Sequence, residues 1–410
     1  MTKEQDELAA VFRSESGKAV ATLVRMLGDI DLAEEAVQEA FVRALERWPL
    51  EGIPPSPAAW IVATAKNRAI DVVRRESTRE ERYRRRAALE GEDGSQADPA
   101  SAVAERLDQP VGDDQLRLVF TCCHPALGME ARVGLTLRLI AGLETRDIAR
   151  AFLVSEATMA QRITRAKRKI ATARIPYRVP PSDELPERLS AVLAVLYLVF
   201  NEGYSGTTDA TRPDLAREAT RLTRELHRLL PEEPEAAGLL ALMLLTESRR
   251  PARFDEAGNV VLLADQDRAR WDMGLIREGQ GVVRACLRRG RPGPYQVQAA
   301  IAAVHSDAAR FEDTDWRQIL ALYDQLFAIM PTAVVELNRA VALAEVHGPA
   351  AALAVVDGLP LERYHLWHAT RANLLDRLGH ADQAHGAYAA AAALTQNPAE
   401  RAFLLGKARS

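Results

Sequence analysis

The chain has 410 residues, with 53 Lys and Arg against 57 Asp and Glu, and only 5% of it is aromatic. That length suggests two or three domains with ample buried core, and the near balance of charge excludes a uniformly basic nucleic-acid coat. Three cysteines exclude a disulfide framework, and the longest apolar run, 189–200, is too short to span a membrane. Abundant Ala, Leu, Glu and Arg, with no long alternating run of β-branched and aromatic residues, predict an all-α protein.

A first helical pattern spans 5–27, with Leu8, Val11, Phe12, Val20, Leu23, Val24 and Leu27 at helical spacing. Gly28 interrupts it, and Asp31 is the expected N-cap of a second helix over 32–48. The apolar face of that helix is Ala33, Val37, Ala40, Phe41, Ala44, Leu45 and Trp48; its other face carries Glu34, Glu35, Gln38 and Glu39. A Pro-rich loop follows, and a third helix starts near Pro57. Trp60, Ile61, Ala65 and Ala69 read as its core side, and Lys66, Asn67, Arg68, Asp71, Arg74 and Arg75 as its exposed side. The segment 88–112 is acidic, and its stretch 90–99 is nearly free of apolar residues, the composition of a linker.

Order is expected to resume near 114, with a further helix over 128–142. Two short helical patterns then flank a turn at 153–154, so that 143–169 reads as a helix-turn-helix, whose second helix enters a DNA major groove. Ser155 is its expected N-cap, and Glu156, Thr158, Gln161, Arg162 and Arg165 face the groove. Arg162, Arg165, Lys167 and Arg168 are suited to clamping phosphate, and 161–178 holds seven cations and no acid. Ile148, Ala149, Phe152, Leu153, Ile163 and Ala166 are the expected core of the motif.

The remainder, 183–410, reads as helical throughout. Three stretches share a spacing: Ala219, Thr223, Leu226, Pro231; Ile319, Tyr323, Leu326, Pro331; and Ala384, Tyr388, Ala391, Pro398, with Gly379 at a hairpin turn. Asn338, Arg339, Arg371 and Asn373 have the chemistry of a peptide-carboxylate clamp. The segment 201–206 reads as a helix stop in preference to a binding loop. Cys122, Cys123 and Cys286 read as packed thiols, because no second ligand pair stands at a zinc-like spacing. No catalytic or cofactor-binding pattern stands out, so neither an enzyme nor a metal or cofactor protein is expected. The first residues lack the basic-then-apolar pattern of a signal peptide, and a cytoplasmic protein without membrane contact is expected.

The stretch 31–45, Asp-Leu-Ala-Glu-Glu-Ala-Val-Gln-Glu-Ala-Phe-Val-Arg-Ala-Leu, is similar to the polymerase-binding region of bacterial sigma factors. The stretch 60–75, Trp-Ile-Val-Ala-Thr-Ala-Lys-Asn-Arg-Ala-Ile-Asp-Val-Val-Arg-Arg, looks like the promoter-melting region that follows it. With the helix-turn-helix downstream, the chain resembles the extracytoplasmic-function (ECF) group of the sigma-70 family, in its subgroup with a tetratricopeptide-like C-terminal extension. The resemblance implies sigma region 2 over 1–87, the acidic linker over 88–112, sigma region 4 over 113–178 and a regulatory repeat domain over 183–410. It implies that Leu32, Glu34, Glu35, Gln38, Glu39 and Arg43 dock on the beta-prime clamp helices of core RNA polymerase, and that the beta flap is a second contact. Lys66, Asn67, Arg68, Asp71, Arg74 and Arg75 would meet the minus-ten element. Ser155, Glu156, Thr158, Gln161, Arg162, Arg165, Lys167 and Arg168 would meet the minus-thirty-five element. Related sigma factors often carry a polar or cationic residue where this chain has Ala160. The C-terminal region would hold a regulatory protein or control holoenzyme assembly. The rival reading is a stand-alone helix-turn-helix regulator with a helical sensor domain, which leaves the acidic helix unexplained.

Overall fold

The computed structural model describes residues 3–87, 112–152, 154–205, 213–395 and 397–409. The expected linker up to residue 111, Leu153, and the side chains of Arg74 and Arg75 lie outside the described residues. The fold is all-α, and the chain divides into two compact units, Met1–Val195 and Leu196–Ser410.

The first unit opens with three long helices, α1 (Lys3–Leu27), α2 (Ile30–Glu51) and α3 (Pro57–Ala87), packed on one another. Gly28 ends α1 in the left-handed region at φ 68°. The N-cap of α2 is Asp29, whose carboxylate accepts from the Leu32 amide at 3.0 Å. The sequence puts the cap at Asp31; both are aspartates, and only the turn at Gly28 decides which one has the extended backbone a cap needs. Ala33, Val37, Ala40, Phe41, Ala44 and Trp48 of α2 are buried, as are Ile61, Ala65 and Ala69 of α3. Trp60, expected as a core anchor, is half-buried and meets Trp48 edge-on at 5.4 Å.

Beyond residue 112 come α4 (Gly112–Cys122) and α5 (Met129–Leu135), which runs into a wide π-type turn at Thr136–Ile140. Then come α6 (Thr145–Ala151) and α7 (Glu156–Thr172). Leu118, Phe120, Leu137, Leu139, Ile148, Met159, Ile163 and Ala166 form the apolar centre of this part. Cys122 and Cys123 are packed inside it, and burial pushes the Cys123 thiol up to about 11.

These helices pack directly on the N-terminal three. Gly17 of α1 lies so close to the Ile140 carbonyl that a Cβ there would run into it. Arg25 Nε pairs with Asp114 Oδ2 at 2.9 Å, both side chains nearly shut off from solvent. The Tyr177 hydroxyl lies 2.7 Å from the Ala21 carbonyl and 2.8 Å from that of Asp114. The sequence predicts two domains joined by a tether; the structure makes their helices one body, through polar ties between residues far apart in the chain.

Helix α8 (Leu185–Ser205) contains the division between the units and ends inside the segment 201–206, where the sequence suggests a helix stop. The second unit continues with α9 (Pro213–Leu229), α10 (Pro234–Glu247), α11 (Met273–Arg289), α12 (Pro294–Asp307), α13 (Trp316–Ile329), α14 (Ala333–His347), α15 (Pro349–Asp357), α16 (His365–Arg377), α17 (Ala381–Leu394) and α18 (Pro398–Lys407). From α9 onward each helix packs on the next, α10 packs on α12 as well, and a long loop of short turns joins α10 to α11. Ala219, Thr223 and Leu226, then Ile319 and Leu326, then Ala384, Tyr388 and Ala391 are all buried. Gly379 makes the α16–α17 turn at φ 80°.

Candidate functional site

The outer face of α2 carries an exposed stripe at helical spacing: Asp31, Glu35, Gln38, Val42 and Leu45. Val42 and Leu45 are 52% and 54% exposed, large apolar groups that the bundle leaves in water. The sequence singles out Glu35 and Gln38 but assigns Leu45 to the core and passes over Val42. The i, i+3, i+7, i+10 relation from Glu35 through Leu45 was the available signal. Leu32 is half-buried. Glu39 is bound by Arg68 of α3 and lies 3.6 Å from Arg43, so these three expected contact residues engage one another.

Glu34 is the most constrained acid of the helix. Its side chain is only 13% exposed; Oε1 accepts from Arg138 Nε at 2.6 Å and Oε2 from Lys167 Nζ at 2.6 Å. Lys167 also reaches Asp31 Oδ1 at 2.7 Å. Burial disfavours the Lys167 ammonium, but Glu34 and Asp31 outweigh it and hold its pKa above the ordinary lysine value. A cation read as a phosphate clamp and an acid read as a polymerase contact therefore satisfy each other.

On α3, Asn67 and Asp71 are exposed one turn apart, with Ala63 a turn before them, while Lys66 and Arg68 are half-buried. On α7, Ser155 caps the helix, accepting from the Thr158 amide at 3.1 Å. Met159, Ile163, Ala166 and Ile170 face inward. Glu156, Thr158, Ala160, Gln161, Arg165 and Arg168 are exposed. Arg162 turns aside to Glu130, with Nη2 3.1 Å from Oε2. The outer face of α7 thus presents Gln161, Arg165 and Arg168, one amide and two guanidiniums in line, a pattern suited to base edge and phosphate.

Residues 11–79, which cover most of α1, all of α2 and much of α3, match the family described as Sigma-70 region 2. The chain is 31% identical over 218 residues to the probable ECF RNA polymerase sigma factor SigI of Mycobacterium tuberculosis, in both strain CDC 1551 / Oshkosh and strain H37Rv. That alignment takes in 51% of this chain and 72% of the relative. The chain belongs to the sigma-70 family.

This sigma factor is also 48% identical over 394 residues to a protein of Rhizobium meliloti strain 1021 described as uncharacterized, covering 94% of this chain and 92% of that one. Its residues 188–287 match a family of unknown function. No solved structure matches it. The described helices of the sigma factor include none long and apolar enough to cross a membrane.

Proposed function

We propose that the chain is an ECF-type sigma factor that binds core RNA polymerase, directs it to promoters and is regulated through its C-terminal unit. The observation that carries this reading is the region 2 match over the three helices that expose two separate faces: the acidic and apolar stripe of α2, and the Asn67–Asp71 face of α3. The α2 stripe suits a protein partner, since Val42 and Leu45 supply burial while Glu35 supplies charge complementarity. The docking partner would be the beta-prime clamp helices, with the beta flap as the second polymerase contact. Asn67 would read the minus-ten element, and the Gln161, Arg165 and Arg168 face of α7, as a helix-turn-helix, the minus-thirty-five element. Duplex opening would be driven by capture of unstacked bases, so no catalytic residue, metal or cofactor is assigned. The protein would work in the cytoplasm, with its polymerase. The C-terminal unit, whose buried positions follow a tetratricopeptide-like spacing, would govern holoenzyme assembly, alone or through a protein partner.

The free chain would be a resting form. Lys167 cannot hold Glu34 and a phosphate at once, and Glu34 cannot hold Lys167 and a clamp helix at once, so polymerase and promoter binding require this contact to part. Run-off transcription with core polymerase tests the reading: the full chain should give a transcript from a defined start site. Duplex binding without any start-site-specific transcript would instead support the stand-alone regulator.

A further inference from the structure

The α10–α11 loop gathers three arginines, Arg249, Arg253 and Arg268, none hydrogen-bonded to a carboxylate among the described residues. Arg253 Nη1 donates to the Tyr204 carbonyl at 2.5 Å, and its guanidinium lies 4.1 Å from the centre of the Tyr204 ring. Arg268 Nη1 donates to the carbonyls of His305 and Ala308 at 2.8 and 2.6 Å, and its guanidinium stacks on Trp271 at 4.8 Å. Both are fixed by carbonyls and rings, which hold a guanidinium in place without cancelling its charge. Arg249 opens the same turn as Arg253, its carbonyl accepting from the Ala252 amide at 3.0 Å, and the neighbouring Ser248 carbonyl accepts from the Asp272 amide beside Trp271 at 2.9 Å. After burial, the larger cause, Arg249 further lowers the pKa of Arg253, Arg268 and His305.

Arg249 has no side-chain hydrogen bond or ion pair among the described residues, although its Nε is buried. The His305 Nδ1 is likewise buried and unpaired. Among the nearby acids, Glu247 holds Arg250, Asp313 holds Arg310, and Glu400 accepts from Thr395 and pairs with His365. Glu312 and Asp313 favour the Arg268 charge from a distance, and among the described residues no hydrogen bond or ion pair joins an acid to Arg249. Buried donors without partners are costly, and three like charges held together cost more. An anion that accepts from Arg249 relieves both. Elsewhere in the unit, Arg339 and Arg371, the residues that read as a carboxylate clamp in the sequence, are already paired with Asp324 and Asp357 at 2.6 and 2.7 Å.

We propose that the C-terminal unit binds a small oxyanion, a carboxylate or phosphate group, at Arg249, with Arg253, Arg268 and His305 as its flanking cationic and donor groups. The site is independent of the sigma reading, since it rests on the second unit alone.

The test is isothermal titration of the full-length protein at low salt with citrate and, separately, with inorganic phosphate. Saturable one-site binding of either probe is expected, and which one binds distinguishes a carboxylate ligand from a phosphate ligand. The R249Q variant should weaken binding by about tenfold or more, the loss expected for a charge-assisted contact, while R339Q leaves it unchanged. No saturable binding of either probe, or equal weakening in R249Q and R339Q, overturns the proposal. Should R249Q fail to fold, phenylglyoxal modification of the wild-type chain decides: the saturating anion must protect Arg249, and its equal modification with and without anion overturns the site.

Discussion

Lys167 and Glu34 are 133 positions apart in the chain and share one contact. If it holds the resting form together, Lys167→Gln should raise affinity for core polymerase in the absence of DNA. A partly screened pair is worth about 1 kcal/mol, so the gain should be severalfold. Unchanged affinity in a binding titration would show that the contact does not limit docking. The raised Lys167 pKa gives a sign as well: the stabilisation is full below the ordinary lysine value and is lost only as pH climbs through the raised one. The resting form should therefore be insensitive to this lysine at neutral pH. His305 behaves oppositely. Burial first, then Arg249 and Arg268, lower its pKa from 6.5 to about 4. Between those values the unfolded chain takes up a proton that the folded chain refuses, so stability falls as pH drops through that window. The slope is at most about 1.4 kcal/mol per pH unit. In urea titrations at pH 7, 6 and 5, His305→Asn should lose stability less steeply than wild type; parallel slopes would count against this account.

At the scale of elements, α2 separates two roles by face. Its buried side closes the bundle, and its outer side exposes Val42 and Leu45. The double variant V42D/L45D should leave the melting temperature within a few degrees, because surface changes rarely alter stability by more than about 0.5 kcal/mol each. It should weaken core polymerase binding by tenfold or more, on the order of the loss when apolar contact area is replaced by charge. Retained binding would move the docking face elsewhere. Gly17 in α1 is the converse case. Alanine there would gain about 1 kcal/mol of helix propensity, but its Cβ has no room beside the Ile140 carbonyl. Overpacking against backbone costs about 1–3 kcal/mol, so a net loss is expected, read as a lower midpoint in thermal unfolding of Gly17→Ala. Much of this scale was legible in the sequence. The 3–4 spacing of Ala33, Val37, Ala40 and Ala44 found a core face, and Ser155 found a cap. What the pattern misjudged was Leu45, because hydrophobicity alone does not say whether an apolar residue meets its own chain or a partner.

For the molecule as a whole, the family was legible from two contiguous stretches, 31–45 and 60–75, whose chemistry is local. The joining of the helices on either side of the linker was not. It rests on Arg25 with Asp114, on Tyr177 with two carbonyls, and on Lys167 with Glu34, and no periodicity connects such partners. The Arg249 cluster was equally hidden, since the sequence shows which residues are arginines but not which of them find carboxylates. The Lys167–Glu34 contact would also set a threshold. If a contact worth about 1 kcal/mol leaves roughly one chain in six open at a given moment, the apparent affinity for polymerase falls about sixfold below the intrinsic value. Such a chain would load onto polymerase only when free core enzyme is plentiful or when something else prises the contact apart. A single lysine would then act as the set point that keeps this sigma factor out of competition until it is called for.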